Sequence, residues 1–410
     1  MFKLLLILSL LLNCVLGSPP LDSKDFDGYL DRYTLSTITG NLDAVELVFS
    51  NLNITAIDKD TFNCLTKLER LFLNANNLTE LDPDTFSQLD SIQFIDLSGN
   101  RLERIYAGTF RSKSLELIDL SENQLEEIQS DSFLGLENLI ELDLSFNKLS
   151  SINGDVFNDL IDLRSLNLNS NQLTQLDPML FKQLTVLETL NLNSNRLRSI
   201  YGELLSNQIA LKSLFLNSNN IDFIHGKAFE NLKRLERLQM NRNELYYFED
   251  GTLSSLTSLL TFQADFNSID SIPENLFRET TNLKTLSLAN NDLDNIHENA
   301  FSSLSNLNEL YLSNNVLLRV YNNTFAALNE LVRLDLSNNQ LFDVEAGSFD
   351  SLSKLRTLSL YENQLVTLDA NLFANLKKVI ELDLGNNLLE DMPLNICSGF
   401  ENQSRLYMRT

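Results

Sequence analysis

The feature that most constrains this chain is a register. Asparagine recurs at Asn76, Asn100, Asn123, Asn147, Asn171, Asn195, Asn219, Asn243, Asn267, Asn291, Asn315, Asn339, Asn363 and Asn387, in steps of 24 residues with one step of 23 after Asn100. Each copy sits in the template Leu-x-x-Leu-x-Leu-x-x-Asn-x-Leu, as in LNLNSN at residues 166–171 and again at 190–195. A fifteenth copy precedes them in phase at Leu47, Phe49 and Ile54, with Leu52 in the asparagine slot. A fixed period in this range belongs to a solenoid, whose repeats stack on their neighbours only.

Within a repeat, the two leucines of Leu-x-Leu have the period of two that marks a short strand, so both point inward and the residue between them points out. Leu166 and Leu168 are therefore interior, while Asn167 and Asn169 face outward. The template asparagine is different in kind. The bend after the strand leaves backbone N–H and C=O groups without partners, and an amide side chain turned inward offers donors and an acceptor to satisfy them. Stacked copies would then form a ladder, predicted here as structural. The opposite half of the repeat carries phenylalanine at 62, 86, 110, 133, 157, 181, 229, 277, 301, 325, 349 and 373, with Leu205 and Leu253 as substitutes. These rings predict an apolar spine. The spine side is bulkier than strands spaced about 4.8 Å apart, so the stack is expected to curve with its sheet on the concave side.

Segments such as LIELDLSFNKLSSINGDVFNDLID, residues 139–162, resemble the typical 24-residue leucine-rich repeats of extracellular proteins. That group includes Toll-type receptor ectodomains, chaoptin-like adhesion proteins and small leucine-rich proteoglycans. The resemblance implies an α/β repeat fold: a leucine-rich repeat solenoid (horseshoe) of about 15 repeats, with a parallel β-sheet on the concave face and an irregular or short-helical convex side. For function it implies a secreted or cell-surface protein that binds a protein ligand or receptor, or a glycan or microbial surface, in innate immune recognition or cell-surface signalling. The alternative it leaves is a structural component of the extracellular matrix or of cell adhesion.

The organisation reads in four parts. Residues 1–17, MFKLLLILSLLLNCVLG, carry one cation at Lys3, an apolar stretch from Leu4 to Leu12, and Val15 and Gly17 at the minus three and minus one places before Ser18, the pattern of a secretory signal. The apolar run is too short for a membrane span. Residues 18–43 form an N-terminal cap without cysteines, residues 44–392 the solenoid, and residues 393–410 either a short cap or the start of a longer chain. Relatives of this type close their ends with cysteine-rich caps, and here that feature is missing. Without the signal the net charge moves from -25 to -26, because Lys3 leaves and no acid does. That acidity repels nucleic acid and anionic membrane. Sequons at Asn53, Asn77, Asn322 and Asn402 fit a secretory route and predict glycosylation. Once Cys14 leaves with the signal, Cys64 and Cys397 stand at opposite ends of the repeats, about 67 Å of arc apart at one strand spacing per repeat. A disulfide between them is out of reach. Each is either a tolerated free thiol or one half of an intermolecular bridge, hence a disulfide-linked oligomer.

Catalytic machinery is not legible. His225 and His297 occupy one slot three repeats apart, about 14 Å, too far to share a metal. No phosphate loop, nucleophile elbow or clustered metal-ligand pattern occurs, so neither enzyme activity, a cofactor nor a metal is expected. Asp96, Asp119 and Asp143 form an outward row followed by Ser98, Ser121 and Ser145. This row reads as solvated carboxylates rather than as a calcium site. Outward strand residues are acidic there, amide-rich from Asn167 to Asn241, and then mixed with aromatics. Phe146, Phe215, Phe266, Tyr311 and Tyr361 stand where small polar residues recur, with Arg242 among them. Aromatics and arginine anchor interfaces. These six are the predicted ligand contacts, centred on Phe215, Arg242 and Phe266.

Overall fold

Short strands recur at the Leu-x-Leu core of each repeat, because alternating burial there satisfies period two and little else. The computed structural model describes residues 28–39, 43–393, 396, 400 and 405–407. The signal segment, Cys14, Cys397 and Asn402 lie outside the described residues. The chain divides into two compact units, Met1–Leu136 and Glu137–Thr410.

In the first unit the face strands are Glu46–Val48, Arg70–Phe72, Phe94–Asp96 and Leu117–Asp119, all parallel, with Leu47, Leu71, Ile95 and Ile118 in register. The single 23-residue step is absorbed without a register slip, since Asp96 still faces Asp119. An eight-residue helix, Arg32–Thr39, and the strand Tyr29–Leu30 cover the first coil, the strand pairing with Ala56–Ile57. Thr55 N–H donates to the Gly28 carbonyl at 2.8 Å. Ile54 N–H donates to Asn76 Oδ1 of the next coil at 3.0 Å, and Leu52, which stands in the asparagine slot, adds its own N–H to the same oxygen at 3.0 Å.

The second unit repeats the motif from Glu141–Asp143 through Glu381–Asp383, in one register in which Leu142, Leu166, Leu190, Leu214 and Leu238 face one another in turn. One more strand, Arg405–Tyr407, pairs with Glu381–Asp383 at the same spacing of 24. Phe400 takes the slot that Leu376 fills one coil earlier and stacks on Phe373 at 6.3 Å. The side opposite the face is irregular, built of turns with two-residue strands such as Ser199–Ile200 beside Phe223–Ile224.

The phenylalanine spine runs as stacked rings in each unit: Phe62, Phe86, Phe110 and Phe133 at 6.0 to 6.2 Å, and Phe301, Phe325, Phe349 and Phe373 at 6.1 to 6.4 Å. Leu253 breaks the ring series. Phe262, a strand residue in a leucine slot, fills the room left there and meets Phe277 edge-on at 6.0 Å. This arrangement is a parallel-sheet solenoid of about fifteen leucine-rich turns.

Candidate functional site

The template asparagines fix the bends on which the outward residues stand. Thirteen of the fourteen are buried and Asn387 is half-buried. Asn195 shows the pattern: its Oδ1 accepts from Leu173 N–H of the preceding coil at 3.0 Å, and its Nδ2 donates to Leu168 O at 2.9 Å and Leu192 O at 3.2 Å. Each such carbonyl receives two amides, its own coil's and the next one's, as Leu192 O does from Asn195 and Asn219. The bend backbone is thereby tied across coils.

One residue per coil adopts a left-handed conformation at this bend, including Asn51 before Leu52 (φ 60°). The residue before each template asparagine has φ between 52° and 63°, including Ser170, Ser194, Ser218, Asn290, Asn314, Asn338 and Gly99. Glycine, asparagine and serine suit this bend, and bulky side chains do not. Phe146 (φ 53°), Arg242 (φ 57°) and Phe266 (φ 56°) sit there nevertheless. All three are exposed, Phe146 at 55% and Phe266 at 47%. Arg242 lays its guanidinium over the Phe266 ring, 4.5 Å from the centroid. Backbone strain held at an exposed aromatic offers the fold nothing, and such strain gathers at binding sites. A Phe146→Asn variant is expected to raise stability by about 1 kcal/mol by relieving the left-handed cost of a bulky residue, read as a higher midpoint in urea unfolding.

The structure brings only part of the predicted contact set together. Arg242 and Phe266 stack, whereas Phe215 ends the strand Ser213–Phe215, in register with Asn191 and Gln239 and three residues upstream of its own bend. Tyr311 shares that strand row, paired with Ser287 and Asp335. Tyr361 lies between the two rows and accepts from Asn386 Nδ2 at 2.7 Å through its hydroxyl. Around Phe215 the surface is amide: Asn217 Nδ2 donates to Gln239 Oε1 at 3.2 Å, and Gln239 Nε2 to Gln263 Oε1 at 2.7 Å. A second ladder, not foreseen from sequence, runs beside it. Asn217, Asn241 and Asp265 each donate a backbone N–H to the side-chain oxygen one coil back, at 2.6, 2.8 and 2.8 Å. Asp265 ends the run by accepting from Ala289 N–H at 2.9 Å and from the Ser287 hydroxyl, and burial pushes its carboxyl above the ordinary range.

Of the aspartate row expected to be solvated, Asp96 is buried, while Asp119 and Asp143 stay half-exposed. Asp96 is 8% exposed and accepts from Ser98 N–H at 2.9 Å and Ser98 Oγ at 2.6 Å; Asp143 takes the same pair from Ser145 at 2.8 and 2.6 Å. Asp119 accepts from Ser121 N–H at 2.9 Å. One oxygen of each carboxylate accepts the N–H two residues on, a local Asx contact that the Asp-x-Ser spacing encodes. Among the described residues no group of three acids, histidines or cysteines is placed to hold a metal ion. His225 and His297 do the same work on the irregular side, each Nδ1 accepting the N–H two residues on, from Lys227 at 3.1 Å and Asn299 at 3.2 Å.

Burial, the largest influence on Asp96, raises its pKa despite the two donors from Ser98. The folded state therefore disfavours the charged form: the penalty is absent below the ordinary carboxylate pKa and fully present above the raised one. Asn167 and Asn191 fill the equivalent slot and accept equivalently at 3.1 Å. Asp96→Asn is thus expected to stabilise the protein at neutral pH, with the gain vanishing as pH falls through the acid range, measured by unfolding across a pH series.

Sequence reading passed over a further aromatic cluster in the first unit. Phe72 and Phe94 meet at 4.9 Å, and Arg70 covers both, at 5.3 and 5.5 Å, while its guanidinium also pairs with Glu46 at 3.3 Å. Both rings stand at outward strand places, and that was the available signal. Asn53 is exposed and Asn77 half-buried, their side chains 3.5 Å apart, and Asn322 is exposed. Cys64 is a half-buried free thiol. No described helix is long and apolar enough to cross a membrane.

Comparison with known proteins agrees with this geometry. The leucine rich repeat family model matches in overlapping segments that span residues 41–207 and 209–389. A search of curated proteins finds no match. Among solved structures, a leucine-rich repeat protein of Leptospira interrogans superimposes with a TM-score of 0.72 at 26% identity, over 91% of this chain and 98% of that one. Toll, in the Drosophila Toll–Spatzle complex, gives 0.71 at 20% identity over 93% of this chain and 55% of its own. TLR13, solved with ssRNA13, gives 0.66 at 25% identity over 86% and 58%. This chain spans little more than half the length of those two receptors. A family match along nearly all of the repeats, carried by the buried asparagine ladder, makes this chain a member of the leucine-rich repeat family.

Proposed function

We propose that this protein is a secreted or cell-surface receptor-like scaffold that holds a protein ligand on the outward face of its sheet, in innate immune recognition or cell-surface signalling. The observation that carries the reading is the set of exposed bulky residues Phe146, Arg242 and Phe266, kept in left-handed bends where serine or asparagine would be more stable. Phe215 and Tyr311 extend the contact across the strands, with the amides between them supplying donors and acceptors. Large side chains with few rotatable bonds and an arginine are the anchors protein interfaces favour. A protein ligand, the class that Toll holds in its complex with Spatzle, suits this chain better than the RNA that TLR13 holds, because a net charge of -25 repels phosphate. The leading apolar segment and the sequons support an extracellular address with glycans on Asn53, Asn77 and Asn322. No catalytic role is assigned to any residue.

The test is capture. The purified protein and a Phe146→Asn, Arg242→Ser, Phe266→Ser variant are each used as bait in extracellular fluid, and retained proteins are quantified by mass spectrometry. The variant is expected to fold at least as stably and to lose its specific partners about tenfold, the effect of about 1.4 kcal/mol of interface energy. An unchanged partner set would overturn the reading.

A further inference from the structure

A second surface lies on the turn side of the second unit, where one coil runs up to its next strand. A groove of about 550 Å³ there is lined by Val186, Ile209, Ala210, Asn231, Lys233 and Arg234, with Thr185 at its rim. Its composition departs from the neighbouring coils. The places held by Thr185-Val186, Ile209-Ala210 and Lys233-Arg234 are filled by Thr257-Ser258, Thr281-Asn282 and Ser305-Asn306 in the next three. Ile209 is 60% exposed, and Ile161, one coil before Thr185, is exposed at 47%. Val186, Ile209 and Ala210 place apolar surface on two adjacent coils of the groove, which a single exposed residue would not do.

Charge selects the occupant. The protein carries 31 Lys and Arg against 56 Asp and Glu, yet residues 182–237 hold eight cations and five acids. Lys233 and Arg234 are exposed, and among the described residues neither forms an ion pair. Asn231 spends its Nδ2 on Ser206 O at 2.9 Å, and its Oδ1 accepts from no described residue. The groove thus brings together apolar side chains, two cations with no ion pair among the described residues, and the Asn231 amide. We propose that it docks an acidic peptide segment of a partner protein, with an aliphatic side chain seated on Val186, Ile209 and Ala210, carboxylates on Lys233 and Arg234, and a peptide N–H on Asn231 Oδ1. This site is independent of the sheet face.

The test uses fluorescence anisotropy with the full chain and a labelled peptide, DELLEED. Two controls accompany it: NQLLQQN, which lacks the carboxylates, and DEAAEED, which lacks the aliphatic anchors. Binding of DELLEED is expected to weaken as salt rises, and to fall about tenfold or more both for the Lys233→Glu, Arg234→Glu variant and for Ile209→Asp. These side chains are exposed, so melting temperatures should not move, and Phe266→Ser should leave the affinity unchanged. No binding of DELLEED, equal binding of either control, or indifference to the charge reversal overturns the proposal. So does sedimentation showing a dimer that Ile209→Asp dissolves, which would give the groove to a second copy of this acidic chain.

Discussion

An Asn195→Leu variant is expected to lose about 2 to 4 kcal/mol of stability, although leucine fills the space and adds apolar surface. Leu173 N–H has Asn195 Oδ1 as its acceptor, so the substitution strands a buried donor, which costs about 1 to 3 kcal/mol. Leu168 O and Leu192 O each keep one amide, from Asn171 and Asn219, and lose only their second. Their share is correspondingly smaller. Since each repeat leans only on its neighbours, the loss should be local before it is global. Amide hydrogen exchange would show this: protection is expected to drop most in the coils on either side of Asn195 and least near the ends of the second unit. Uniform loss along the unit, or none, would mean the ladder is not what ties the bends.

Truncating the spine should be costlier still. Phe325 is fully buried, with its ring between Phe301 at 6.4 Å and Phe349 at 6.2 Å, near-parallel to both. Phe325→Ala removes a whole ring from a stack that cannot close on the gap, because the face strands hold the coil spacing at about 4.8 Å. The expected loss is about 3 to 5 kcal/mol, read from urea unfolding. Phe325→Leu should cost much less, since Leu205 and Leu253 occupy the same slot while remaining 1% and 0% exposed. If alanine and leucine proved equally mild, ring packing would not be what fills this side of the coil.

Together these effects separate scaffold from site. The ladder and the spine use side chains that nearly all repeats share, and they leave the outward residues free to vary. Phe146, Arg242 and Phe266 have that freedom and lie where the backbone penalises it, so replacing them should stabilise the fold while removing contacts. A stability gain accompanied by a loss of partners is the signature that distinguishes a binding residue from a packing one.

The amino-acid order alone determined the repeat, its register, the inward leucines, the asparagine slot and the phenylalanine slot, because each is a one-dimensional period with one stable arrangement in a stacked coil. Other features needed the third dimension. Asp96 and Ser98 read as an exposed pair until the bend folds Ser98 N–H back onto the carboxylate. Phe215, Arg242 and Phe266 are close in repeat number, yet only the last two touch, because Phe215 lies on a strand and the others on bends. The left-handed bend was visible in outline, as serine, asparagine and glycine recur before the template asparagine, but its strain at Phe146 and Phe266 appears only with the dihedral angle. The groove beside Ile209 is assembled from three coils 24 residues apart, and no window of sequence contains it. Periods are local and survive in a string; surfaces join residues from different coils, and tertiary packing decides which of them meet.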